Sequence, residues 1–581
     1  MTLTLLTLLA PAGWAFAGEM TAPYVVVFDP GAVSVPDDTI DFTAASARSF
    51  RFLAAPPALR AATMAAAPAS AIVRKTRVDG ARVDSAIRTV AGRNHVRVNS
   101  VYANAVGGFA ANLNAAQLAA VSANPAVAAV IPDMAVSIDD GSIDNGAFDD
   151  GSAGDAAGVM RNVVRPAWQV PAGVRRVGAR TSSVQGFTNR RERVNADVAI
   201  LDTGVDRNHP DLNVVGGYNC TSRNRDKWDD NNGHGTHVAG IVGALDNNIG
   251  VVGVAPGVRL WSVKVLDARG NGFVSWLVCG IDWVTAQRDR GRAKFEAANM
   301  SISFSVGHFP NSTCANGQDV IHQALCRSVA KGTTYAVAAG NNSHNARRNR
   351  PAAYDEVITV SAMADYDGKG GGKGKPSDSC PTRYEPDDSF TNFSNYGPDV
   401  DLIAPGRCVL STYMGKRYAF MSGTSMATPH VTGAVALYRS MYPNAKPAQV
   451  KRALMAVGKL DWRTGTDPDH NPERALWVGD FRRPPDFTIS TADMGVVGAG
   501  GALNVAVDVS RMGGFDGPVT FSLDVAPGGF SARSVVTSSR TGVLRVEVAA
   551  RVDPGTYHVT ILGVGMDVEH RVTIDIVVKR R

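Results

Sequence analysis

From about residue 194 to residue 440, short β-branched runs alternate with helical stretches bounded by glycine, and that alternation leaves few architectures open. Strand signals fall near 194–201, at 261–266 (WSVKVL), 299–303 (NMSIS), 334–339 (TYAVAA) and 357–362 (VITVSA). Helical signals lie near 235–245, at 274–288 and from 425 onward. Strands separated by helices pair in parallel, so this part of the chain predicts an α/β fold, a parallel sheet flanked by helices. An insert from Asp365 to Ser389, carrying KGGGKGKPSDS, reads as a flexible surface loop.

Two other textures flank this region. Before it, strand signals at 24–28 (YVVVF) and 107–113 (GGFAANL), a helical stretch at 114–123 and an apolar run at 126–131 predict a small α/β unit. A stretch rich in Asp, Gly and Ser, 139–158, follows; it has too little apolar surface to fold by itself and reads as an exposed linker, where proteases cut. Past Pro484 come alternating strands at 502–510, 518–525, 543–550, 556–562 and 570–578, separated by turn signals such as Pro527-Gly528-Gly529 and Asp553-Pro554-Gly555. That pattern predicts an antiparallel β-sandwich.

With 581 residues, 45% hydrophobic and 19% charged, the chain can bury a sizeable core over about two to four domains. Its formal charge of +6 comes from Lys and Arg scattered along the chain, not gathered into a stripe, so no nucleic-acid partner is expected. Residues 1–17 read as a secretory signal: Leu3–Leu9 is mostly apolar and Ala15-Phe16-Ala17 offers small-x-small cleavage before Gly18, although no Lys or Arg precedes the apolar run. A secreted protein, extracellular or periplasmic, is expected, and no later stretch is long and apolar enough to span a bilayer. The six cysteines (Cys220, Cys279, Cys314, Cys326, Cys380, Cys408) form no C-x-x-C pair; in an exported chain an even count predicts disulfides. Close spacing favours Cys314 with Cys326 and Cys380 with Cys408, and the sequence alone leaves the pairing open.

Three segments place a reactive side chain among small residues: AILDTGVD (199–206), NGHGTHVAG (232–240) and SGTSMATPHVTG (422–433). In motif and in the order Asp, His, Ser they resemble the subtilisin-like serine protease (subtilase) family over roughly residues 165–460. The resemblance implies a serine endopeptidase with a subtilisin-like sheet and the catalytic triad Asp202, His234 and Ser425. A serine hydroxyl needs a base to take its proton, which His234 would do while Asp202 orients the imidazole. Ser425 opens a helix whose N-terminal dipole favours the developing oxyanion. HGTH offers two histidines; the resemblance assigns His234 and leaves His237 to packing. AVAAGNN (336–342) matches the element in which Asn341 donates to the oxyanion. The substrate groove would run between KVLDARGNG (264–272) and NMSISF (299–304), with Lys264, Val265, Leu266, Gly270, Gly272, Ser301, Ile302, Ser303, Ala338, Ala339 and Gly340 lining it. Ser303 departs from the glycine usual there and bears on the specificity pocket.

The loop LDNNIGV (245–251) with Asp211 matches the family's structural calcium site: side-chain oxygens of Asp211 and Asn247 and backbone carbonyls of Leu245, Ile249 and Val251, with one further ligand from nearer the catalytic domain's N-terminus. The N-terminal unit resembles the family's inhibitory propeptides, which assist folding and then block the groove. The expected layout is signal 1–17, propeptide 18–138, linker with processing region 139–164, catalytic domain 165–483 and β-sandwich 485–581. The partners implied are protein or peptide substrates and the chain's own propeptide, and the simplest form is a monomer. The alternative is a catalytically inert homologue that binds or adheres through the C-terminal sandwich; the intact Asp202, His234, Asn341 and Ser425 argue against it.

Overall fold

The computed structural model describes residues 21–36, 76–138, 168–179, 193–305, 314, 319–376, 385–481, 486–492, 494–513, 515–565 and 568–580. The predicted signal (1–17) and linker (139–164), Pro484 and Cys380 lie outside the described residues.

The N-terminal unit contains strand β1 (Ala22–Phe28), helix α1 (Gly80–Ile87), β2 (Val98–Ala103), β3 (Gly107–Leu113), α2 (Ala115–Ser122), β4 (Val127–Pro132) and β5 (Ala135–Ser137). Four of these strands form an antiparallel sheet in the order β2-β3-β1-β4. Helix α2 starts where it does because Asn114 and Gln117 cap each other's backbone N–H groups. One side of the sheet closes a small core around Val26, Phe28, Val83 and Phe109. Val25, Val27, Tyr102 and Ala110 join instead a core shared with the central region.

That central region is built on β6 (Asp197–Asp202), β7 (Val214–Asn219), α3 (His234–Gly243), β8 (Arg259–Lys264), β9 (Asn271–Phe273), α4 (Val274–Asp289), β10 (Ala297–Met300), α5 (Val320–Ala330), β11 (Thr334–Ala338), β12 (Ile358–Ala364) and β13 (Leu402–Arg407). The hairpin β14 (Val409–Tyr413) and β15 (Arg417–Met421), helices α6 (Thr424–Met441) and α7 (Pro447–Val457), and strand β16 (Arg474–Ala475) complete it. Eight strands make one parallel sheet in the order β16-β13-β12-β11-β10-β6-β8-β7. Its central strands are buried on both faces, as parallel sheets with helices on each side require. One face packs with α3 and α6 and the other with α4 and α5. Helix α6 is buried from Thr424 to Arg439, so it runs through the core instead of over it.

The insert differs from its reading as a flexible loop over the part described. Asp388 Oδ2 accepts the N–H groups of Gly371 and Gly372, and Asp387 accepts those of Tyr366 and Gly374, so carboxylates fix the glycine-rich backbone. Cys314 pairs with Cys326 as its spacing suggested, and Cys220 pairs with Cys279, 59 residues away. Cys408 is also disulfide-bonded.

The C-terminal region forms two sheets, one of four strands and one of five, that share a core including Phe487, Val507, Phe521, Leu544, Ile561 and Ile576. Its pairings are antiparallel with one exception: Met494–Gly498 runs parallel to Val568–Lys579.

Candidate active site

The residues singled out by motif arrive at the carboxyl ends of neighbouring parallel strands, where open α/β sheets leave a crevice. Asp202 is the last residue of β6, Ser301 follows β10, and Asn341 lies just past β11. His234 is the first residue of α3 and Ser425 the second of α6, and these two helices pack on each other.

Asp202 is fully buried, and its two carboxylate oxygens stand 2.8 and 3.0 Å from His234 Nδ1. That contact places the imidazole proton on Nδ1 and turns Nε2 into the basic nitrogen. Around the pair, Thr203 N–H donates to Asp202 Oδ1 at 2.7 Å, and Thr203 Oγ1 accepts from Gly235 N–H at 3.0 Å. Asp230 accepts from Thr203 Oγ1, Thr236 N–H and Thr236 Oγ1, fastening the end of β6 to the start of α3. Glycine at 235 is dictated by this approach: a Cβ there would lie 2.1 Å from Gly204 O.

Ser425 Oγ donates to Ser301 O at 3.3 Å, and Ser301 Oγ donates to Ser425 O at 2.8 Å, so the seryl segment is tied to the end of β10. Asn341 Oδ1 accepts from Thr424 N–H at 2.8 Å and from Thr424 Oγ1 at 2.9 Å. These bonds orient the amide, and Asn341 Nδ2 comes within 3.5 Å of the point where a Cβ on Gly423 would sit, a point 3.6 Å from Ser425 N. One side-chain N–H group and one backbone N–H group thus stand beside the same space, with Ser425 Cβ 3.8 Å from that point. His237 is fully buried, with Nε2 at 3.0 Å from Val409 O and 2.9 Å from Ala419 O, tying α3 to the β14–β15 hairpin. Burial pushes its pKa down to about 3.

Of the residues expected to line a groove, Gly270 and Gly272 lie on an open edge, and the chain's own N-terminal unit occupies it. Strand β5 adds antiparallel to β9, with Val136 opposite Gly272; Ile138 N–H donates to Gly270 O and Val274 N–H to Met134 O, both at 2.9 Å. Lys264, Val265 and Leu266 sit deeper, because their backbone is spent inside the sheet: Val265 N–H and Leu266 N–H donate to Asp202 O, and Lys264 O accepts from Cys220 N–H. Lys264 Nζ donates to Thr203 O and Asn231 Oδ1, so it braces the end of β6. Across the crevice, Ile302, Ser303, Ala338, Ala339 and Gly340 are all buried. Ser303 Oγ accepts from Asn349 Nδ2 at 2.7 Å and lies 2.7 Å from where a Cβ of Gly340 would be. The signal missed in the sequence is Asp282 on α4. Its carboxylate accepts the backbone N–H groups of Ala103, Asn104 and Ala105 and the side chain of Asn104, gathering the β2–β3 turn onto the helix.

The loop 245–251 and Asp211 do come together. Leu245 N–H donates to Asp211 O, Val251 N–H and Tyr418 OH donate to Asp211 Oδ2, and Asn247 Nδ2 reaches Pro210 O at 3.4 Å. Asp211 Oδ1 is buried with no hydrogen-bond partner, and burial pushes this carboxyl up to about 7. Gln169, from the start of the central region, bridges Val251 and donates its N–H to Gly250 O, so it stands beside the loop. An orphaned buried carboxylate oxygen among backbone carbonyls and amides is a donor set for a hard cation, so the residues fit calcium.

Known families match two stretches of the chain. Residues 195–467 match the family described as the subtilase family, and residues 23–139 match peptidase inhibitor I9. Subtilisin DY of Bacillus licheniformis is 37% identical over 294 residues, covering 50% of this chain and 92% of that protein. Subtilisin of Bacillus pumilus is 35% identical over 291 residues, 50% of this chain and 91% of its own length. Among solved structures, a cold adapted subtilisin-like serine proteinase matches 53% of this chain and 97% of its own, at 28% identity and a TM-score of 0.41. With its motif order, its eight-stranded parallel sheet and the subtilisins it matches over nearly their whole length, the chain belongs to the subtilase family of serine peptidases and carries an I9-type inhibitor unit.

Proposed function

We propose that this chain is a secreted serine endopeptidase, made as a zymogen that processes itself, with Asp202, His234, Ser425 and Asn341 as its catalytic residues. The observation that carries the reading is the Asp202–His234 contact at 2.8 Å, on a helix that packs against the one bearing Ser425, with the Asn341 amide oriented at Thr424. His234 Nε2 takes the Ser425 proton as Oγ attacks the scissile carbonyl, and Asp202 stabilises the imidazolium. Asn341 Nδ2 and Ser425 N–H share the charge on the tetrahedral oxygen. His234 then returns the proton to the leaving amine, and a water activated by the same imidazole cleaves the acyl-enzyme.

The layout proposed is propeptide 18–138, linker 139–164, catalytic domain 165–483 and sandwich 485–581, with the sandwich stabilising or targeting the enzyme. The segment 135–138 along Gly270–Phe273 supports inhibition by strand addition, because it holds the edge a substrate would need. Export is supported by the apolar run at 3–9 and by disulfides, which persist in oxidising compartments. Among the described residues no helix is long and apolar enough to cross a membrane. Calcium would be held by Asp211, Asn247 and the carbonyls of Leu245, Ile249 and Val251, where it would neutralise the buried carboxylate.

The test is intact mass with N-terminal sequencing of the purified chain and of Ser425→Ala. The parent should be shortened between residues 134 and 165 and the variant should stay uncut. Equal cleavage of both would assign processing to another protease and remove the self-processing step.

A further inference from the structure

The segment TDPDHNPE, residues 466–473, carries an oxygen-bearing side chain at every second position: Asp467, Asp469, Asn471 and Glu473. It leads into β16, the last strand of the central sheet. Asp467 is 1% exposed and Glu473 7%. Asp467 Oδ2 and both carboxylate oxygens of Glu473 are buried without a hydrogen-bond partner.

The charges that act most strongly on Glu473 are all acidic: Asp467, Asp469 and Asp401. Asp401 has its own cation, Lys451, at 2.8 Å. A buried carboxylate with neither donor nor counter-charge is among the costliest groups a fold can hold.

A second acidic cluster in the same domain shows how the chain meets that cost elsewhere. Asp365, Asp388 and Asp461 surround the buried Arg176 guanidinium at 3.0, 3.1 and 2.7 Å, so their charge is answered from within the chain. Among the described residues, no cationic side chain pairs with Asp467, Asp469 or Glu473. The available donors are carboxylate and amide oxygens, which select a hard cation. Three carboxylates and an amide in one loop suit the six to eight oxygens of calcium better than magnesium, which keeps its waters and takes one or two carboxylates.

We propose that Asp467, Asp469, Asn471 and Glu473 hold a calcium ion at a site separate from the one around Asp211, and that this ion clamps the edge of the catalytic sheet. The mechanical link is short. Glu473 O accepts from Trp462 Nε1 at 3.0 Å, and the next two residues, Arg474 and Ala475, pair with Leu402 and Ile403 of β13.

The test uses the full-length chain in a Ser425→Ala background, which suppresses self-cleavage. Bound calcium is counted by elemental analysis after gel filtration. Asp467→Asn/Glu473→Gln should lose one calcium per chain, Asp211→Asn should lose a different one, and the combined variant should lose both. Terbium emission sensitised by Trp462 should disappear in Glu473→Gln and in Trp462→Phe and persist in Asp211→Asn. In chelator, Glu473→Gln should melt no lower than the parent, because it removes an uncompensated charge, and added calcium should raise its melting temperature less than the parent's. An unchanged calcium count in a folded Asp467→Asn/Glu473→Gln variant overturns the proposal. So does a lower melting temperature of Glu473→Gln in chelator. If the double variant fails to fold, Trp462→Phe decides: terbium emission that this substitution leaves unchanged overturns the site.

Discussion

Replacing Asp282 by alanine should loosen the grip of the N-terminal unit on the catalytic domain without touching the chemistry. In the structure one carboxylate accepts four donors from that unit: Asn104 N–H at 2.8 Å, Ala105 N–H at 2.7 Å, Asn104 Nδ2 at 2.7 Å and Ala103 N–H at 3.3 Å. Hydrogen bonds to a charged group contribute about 1.5–3 kcal/mol each, so a simple sum overshoots. Binding must also strip water from the carboxylate, and burial raises its pKa even against those donors. Truncating one partner of a buried, hydrogen-bonded charge costs about 2–5 kcal/mol, and three backbone N–H groups lose their acceptor here. We therefore expect about 3–5 kcal/mol, a rise of roughly 200- to 5,000-fold in the inhibition constant. The assay adds the segment 18–138 in trans to mature wild type and to mature Asp282→Ala, with a short peptide substrate. Any cost of folding the segment is common to both and cancels in the ratio, and kcat/KM without inhibitor should be unchanged. An inhibition constant within about threefold of wild type would refute the reasoning, since it would mean that water replaces the carboxylate at no cost.

Asn341→Ala should lower kcat by about 10²- to 10³-fold with little change in KM, because the donor acts on charge that exists only in the transition state; equal losses in kcat and substrate affinity, read by steady-state kinetics, would count against that role. A third expectation concerns acid. His237 and His430 are buried, and burial holds their pKa values down at about 3 and about 4. An unfolded histidine titrates near 6.5, so unfolding takes up protons between about pH 6.5 and 4. The stability these neutral rings contribute is complete above about pH 6.5 and is lost as pH falls, by at most about 2.7 kcal/mol per pH unit for the two together. Urea unfolding of the inhibitor-blocked enzyme across that range should show the fall, and His430→Gln should lose one proton's share of the slope; an identical slope in the variant would show that other groups carry it.

Much of the central fold was legible because its signals are local. The buried run VAILD, the glycine-flanked histidine at 234 and the small residues before Ser425 each announce an element and its end within about ten residues of sequence. Helix 274–288 and the strand at 107–113 emerge within a residue of where periodicity puts them. The strand expected over 299–303 ends at Met300, because Ser301 turns its carbonyl to Ser425 instead of to a neighbouring strand. TDPDHNPE shows in the sequence only as a run of alternating oxygen-bearing side chains, and it takes burial to show that nothing answers their charge. Asp282 carries no motif of its own, and only the docking of residues 103–105 brings it four donors.

The sequence by itself determined the kind of element each segment forms and the order in which the reactive side chains occur, because propensity, periodicity and turn chemistry act between residues a few positions apart. Only the tertiary structure decided which cysteine faces Cys220, which histidine is walled in by carbonyls at the β14–β15 hairpin, and which strand occupies the edge at Gly270–Phe273. Those outcomes depend on which surfaces lose water against which others, and that free energy belongs to pairs of segments far apart in the chain.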